Sequence, residues 1–120
     1  GKLALAEPLL ERLLECTATN LGEDHLQTAA VSNLLASLHR EQGKHTAAEP
    51  LHARAVAAAK HAAGEDHPVV ADLLVSQALT FKALGKAKAS KKCIEEVTAI
   101  RAQAQRMQEA QRARMKFAAK

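Results

Sequence analysis

The sequence predicts an all-α chain, an α-solenoid of antiparallel helix pairs, on three observations. Gly22-Glu23-Asp24-His25 returns as Gly64-Glu65-Asp66-His67, displaced by 42 positions. Ala6-Glu7-Pro8-Leu9 returns as Ala48-Glu49-Pro50-Leu51, and Gly43-Lys44 as Gly85-Lys86, at the same displacement. Between these landmarks apolar residues step by three and four, the period of a helix. Helical repeats of this size bury their apolar faces only against neighbouring repeats. Four divisions follow: the second helix of an incomplete repeat over 1–22, a complete repeat over 23–63, a degenerate repeat over 64–104, and a basic helical extension over 105–120. Beginning in mid-repeat with Gly1-Lys2, the chain reads as a segment of a longer array.

The first helix is expected from residue 3 to about 20, with Leu3, Leu10, Leu13, Leu14 and Leu21 on its apolar side. Gly22 ends it in the left-handed cap conformation, which glycine adopts without a side-chain clash. Asp24 or His25 starts the second helix, expected over residues 26 to about 42 with Val31, Leu34, Leu35 and Leu38 inward. Gly43 stops it. Thr46 and Glu49 have the spacing of a capping box opening a third helix, whose apolar side is Leu51, Ala55, Val56 and Ala59. The fourth starts at Pro68, suited to a first helical position whose N–H has no partner anyway, and carries Val70, Leu73, Leu74, Phe81 and Leu84 inward. The fifth begins near Ala89 and meets no breaker before Lys120. It is expected to be about 45 Å long, with a weak heptad-like seam of Val97, Ile100, Ala104 and Met107.

Alanine dominates, Trp and Tyr are absent, and Phe81 and Phe117 are the only aromatics. A core of Leu, Val and Ala buries little area per residue, which predicts marginal stability for this segment alone. Cys16 and Cys93 stand apart, without metal-ligand spacing or a disulfide framework, and read as two small buried hydrophobes. No apolar run is long enough to span a bilayer and no signal-peptide pattern opens the chain, so a soluble intracellular protein is expected.

The formal charge of +4 is concentrated at one end. Arg101, Arg106, Arg112, Arg114, Lys116 and Lys120 face Glu109 alone in the last twenty residues. Such a helix suits an acidic protein surface. Only Phe117 is near for base stacking, which argues against nucleic acid. Alanines instead of bulky residues between the charges argue against a membrane surface. The six histidines show no HExxH or other metal spacing, and His25 and His67, in equivalent positions of adjacent repeats, are about 10 Å apart and cannot share a zinc. No nucleophile, base and orienter appear together. The expectation is a non-catalytic protein with no metal, no cofactor and no small-molecule substrate.

The blocks Gly64-Glu65-Asp66-His67-Pro68-Val69-Val70-Ala71 and Gln42-Gly43-Lys44, followed by Ala47-Ala48-Glu49-Pro50-Leu51 and Arg54-Ala55-Val56, resemble the long tetratricopeptide repeats of kinesin light chains and of nephrocystin-type ciliary scaffolds. The standard period of the family is ~34 residues. The resemblance implies packing positions at Leu35, Ala36, His39, Ala48, His52 and Ala55. Their counterparts in the next unit are Gln77, Ala78, Phe81, Ser90, Ile94 and Val97, of which Gln77 and Ser90 depart from the pattern. It also implies a concave peptide groove lined by Ala30, Asn33, Ser37 and Arg40, continued by Asp72, Val75, Leu79 and Lys82. Asn33 is one of a pair of asparagines usual at this place, whose amides hold a peptide backbone; the next unit has Val75 and Ser76 instead. The function implied is a protein-interaction scaffold in a cytoplasmic, cytoskeletal or ciliary assembly, with neighbouring subunits or peptide segments as partners. An adaptor that captures peptide cargo is the alternative, and a basic helix that meets an acidic surface such as tubulin, or nucleic acid, is a third.

Overall fold

The computed structural model describes residues 2–119 and contains five helices: α1 Lys2–Leu21, α2 Leu26–Glu41, α3 His45–Ala63, α4 Pro68–Ala83 and α5 Ala87–Ala118. Connections of three or four residues make successive helices antiparallel neighbours. Each helix packs on the next, and α2 also touches α4, which is the layering of a solenoid.

Two kinds of connection alternate. After α2 and α4 the backbone closes on itself: Lys44 N donates to His39 O at 2.8 Å and Gly43 N to Arg40 O at 3.0 Å, while Lys86 N donates to Phe81 O at 2.8 Å and Gly85 N to Lys82 O at 3.1 Å. This is the Schellman pattern, which satisfies carbonyls the helix leaves free. Between pairs the Gly-Glu-Asp-His box acts as punctuation and its histidine is the cap. His25 Nδ1 accepts from Gln27 N at 3.0 Å, and His67 Nδ1 accepts from Val69 N at 3.1 Å. Gly64 lies at φ 97, ψ 153, a region outside the left-handed helical well and open in practice only to glycine.

The expected capping box at Thr46 does not form. The chain passes from the Schellman turn straight into α3, which starts at His45 with Lys44 at the cap and no side-chain cap bond. Glu49 points instead at Lys86, 2.7 Å away, and the equivalent Glu7 pairs with Lys44 at 3.4 Å. The repeat uses this glutamate to tie one layer to the next.

The larger core combines Ala55, Val56, Ala58 and Ala59 of α3 with Val70, Ala71, Leu73, Leu74 and Ala78 of α4 and Cys93, Val97 and Ile100 of α5. A smaller one joins Leu14 of α1 to Val31, Leu35 and Leu38 of α2. All six expected packing positions of the complete unit are buried. In the next unit only Ala78 and Val97 are, while Ile94 is exposed. Gln77 there accepts from the Cys93 thiol at 3.6 Å, and Ser90 donates to Ala78 O at 3.0 Å.

Several expected core residues lie outside it. Leu34 is 55% exposed, because it faces the gap between α2 and α4 instead of α3. Leu3, Leu13 and Leu21 are also exposed, since among the described residues α2 alone packs on α1. Cys16 is exposed for the same reason, whereas Cys93 is buried as expected. Met107 lies on the surface and Ala104 is half-buried, so the fully buried part of the α5 seam ends at Ile100.

Candidate functional site

The expected groove residues lie on α2 and α4 and divide into two groups. At the N-terminal ends of these helices Ala30 and Asn33, with Leu26, Ala29, Leu34, Val69 and Leu73, line an apolar cavity of ≈ 330 Å³. The Asn33 amide oxygen is buried there without a hydrogen-bond donor. Leu26, Leu34 and Val69 are the groove residues that the sequence reading missed. Leu34 has the helical step of Val31 and Leu38 and is expected in the core, whereas Leu26 and Val69 open their helices with no face assigned to them.

The other expected groove residues are mixed in character, and two of them, Arg40 and Asp72, have partners. Arg40 is half-buried and its guanidinium donates across the gap to Ser76 O at 3.5 Å, bracing α2 against α4. Asp72 lies 3.7 Å from Arg101 of α5, both exposed, so one expected groove residue pairs with one expected residue of the basic helix. Ser37 and Val75 are half-buried, and Leu79 and Lys82 exposed. None of these lines the apolar cavity.

Beyond Arg101, α5 carries Arg106, Arg112, Arg114 and Lys116, all exposed and without an ion pair among the described residues. Lys120 lies outside the described residues. Met115 and Phe117 are exposed beside them.

His52 of α3 is fully buried, and neither ring nitrogen has a partner. Burial, and then the Arg40 charge, push its pKa down to about 4. Burial and the Glu96 carboxylate raise the pKa of the Cys93 thiol. On the outer face Arg54 of α3 grips Glu23 with two nitrogens, and this hydrogen bonding holds the Glu23 carboxyl below its usual value.

On α1, Glu7 and Glu11 approach His39 of α2, a juxtaposition that neither helix shows in its own spacing. Among the described residues no helix is long and apolar enough to cross a membrane.

Stacked antiparallel pairs, glycine-closed turns and a face between alternate helices define an α-solenoid repeat protein, a class whose chemistry is recognition at a surface. The chain belongs to the tetratricopeptide repeat family, which matches it over residues 1–61 and, in an overlapping register, over residues 30–103. The family's repeats generally mediate protein–protein interaction and are typically non-catalytic scaffolds. No curated protein matches the chain.

Proposed function

We propose that the chain is a scaffold module that works inside a larger helical assembly, with α1 covered by a further amphipathic helix. One comparison carries this reading. On α3 the positions Ala48, His52, Ala55 and Ala59 are all 0% exposed, sealed by α2 and its neighbours. The residues 42 positions earlier on α1 are Ala6, Leu10, Leu13 and Thr17, and none of them is buried. Leu5 and Leu9 beside them are 73% and 68% exposed. Apolar patches of this extent on one helix mark an interaction surface, and the occupant that the repeat geometry fits is a helix seated on α1 as α2 sits on α3.

The test is Leu5→Lys with Leu9→Lys. The variant is expected to keep the helical circular dichroism signal while losing self-association in light scattering and binding of a hydrophobic dye. A wild-type chain that is monomeric, melts cooperatively and binds no dye would remove the basis of the proposal. A cytoskeletal or ciliary setting rests on the resemblance of the repeats. An acidic protein surface such as tubulin as partner of α5 rests on its uncompensated arginines.

The apolar cavity favours a second reading, in which an extended peptide lies between α2 and α4. An apolar side chain fills the space beside Leu26 and Leu34, and the unpartnered Asn33 amide oxygen accepts a peptide N–H. Asn33→Ala is expected to weaken capture from a peptide library several-fold with Tm unchanged. Unchanged capture by that variant would leave the groove without its polar anchor.

A further inference from the structure

Glu7 and Glu11 stand one turn apart on α1, and His39 faces them from the last turn of α2. One ligand atom from each lies within 4.8 Å of the others. His39 is 7% exposed, and its Nδ1 is buried with no hydrogen-bond partner. That nitrogen lies 3.5 Å from Glu7 Oε1, so a buried lone-pair or proton site is aimed into a pair of carboxylates.

The repeat supplies its own comparison. The residues 42 positions on from Glu7, Glu11 and His39 are Glu49, Ala53 and Phe81. Glu49 pairs with Lys86 as Glu7 pairs with Lys44, so the glutamate–lysine bridge belongs to the repeat. Glu11 and His39 have no metal-ligating counterpart one repeat on, where an alanine and a phenylalanine stand. Packing alone therefore does not require the exposed Glu11, and at the buried place of His39 an apolar ring would serve as well.

We propose that Glu7, Glu11 and His39 bind one divalent transition-metal ion of the Zn²⁺ class and thereby clamp α1 to α2. An imidazole nitrogen with two carboxylates suits such an ion, whereas Mg²⁺ and Ca²⁺ are served by all-oxygen sets. Metal–ligand bonds of about 2.0–2.2 Å require the three groups to close by roughly 1 Å. Glu11 is exposed and free to rotate inward. Lys44, half-exposed on a flexible stem, yields the share of Glu7 that the ion needs. Three protein ligands leave room for water to complete the coordination.

The experiment is titration of the metal-stripped chain with Zn²⁺, followed by calorimetry and thermal melting, with Mg²⁺ in parallel. One Zn²⁺ per chain and a raised Tm are expected, and Mg²⁺ is expected to have no such effect. Glu11→Gln and His39→Phe are expected to lower Zn²⁺ affinity by at least the roughly 10–100-fold that loss of an outer partner costs a metal site, while Cys16→Ser leaves it unchanged. His39→Phe installs the residue the next unit uses, and its circular dichroism before titration verifies the fold. Glu11→Gln, at an exposed position, gives an independent route. The proposal is overturned if Zn²⁺ does not bind, if binding survives both variants, if it vanishes with Cys16→Ser, or if Mg²⁺ does the same.

Discussion

Acidifying the chain from pH 7 to pH 5 tests the environment of His52. The folded protein holds this imidazole neutral, with its pKa lowered from 6.5 to about 4, because burial removes water from the ring and Arg40 adds a like charge nearby. The unfolded chain takes up the proton first. Stability is therefore intact above pH 6.5, declines as pH falls from 6.5 toward 4, and levels off below that. At pH 5 the difference amounts to about 2 kcal/mol, which for a domain of this size lowers Tm by about 8 °C. The assay is thermal melting by circular dichroism across that range, on the wild type and on His52→Leu. Leucine has nearly the same volume and carries no proton, and it also removes two buried nitrogens that lack partners, so its stability at pH 7 is expected to match or exceed wild type. If His52→Leu loses as much Tm as the wild type between pH 7 and pH 5, the buried imidazole is not what the acid acts on.

Two further outcomes follow from local geometry. Gly64→Ala is expected to cost about 1–3 kcal/mol in a urea melt, from backbone strain alone, because a Cβ there meets nothing within 4 Å; an unchanged midpoint would mean that the turn relaxes. Cys16 is expected to react with a chromogenic disulfide reagent in the folded state, while Cys93 reacts only on opening, since burial both blocks it and disfavours its thiolate. Equal rates for the two would show that the α3–α4–α5 core opens readily.

The architecture was legible because its markers are local. A glycine at positive φ reports a turn whatever surrounds it, and the period of 42 was carried by Gly22, Gly43 and their counterparts. Which apolar residue faces which neighbour is not a local property. Leu34 and Leu13 have the helical spacing of core residues, yet one faces the gap between alternate helices and the other a side of α1 that no described helix covers. Of the expected groove residues, Ala30 and Asn33 line the apolar cavity and the other six do not. Arg40 turns to Ser76 O as a brace, and Leu34, whose spacing is that of a core residue, lines the cavity instead. Glu49 has the spacing of a capping partner, three residues from Thr46, but the ion that draws it is Lys86, 37 residues away. The approach of Glu7 and Glu11 to His39 was hidden likewise, since two helices supply it.

The fifth helix outruns the layers that anchor it. It is rooted through Cys93, Val97 and Ile100, and beyond Ile100 none of its described side chains is buried, so the 18 residues to Ala118 carry the helix about 27 Å past its root with no described helix sealing them. A free helix of that length is marginal in water, and what holds it is propensity, one exposed Gln105 to Glu109 contact and the cations near its C-terminal end, which suit the dipole. Amide hydrogen exchange should therefore quicken steadily from the root to the tip. A partner that held the far turns would order them and bear on the root, at the Asp72–Arg101 pair and the alanine-rich core behind it.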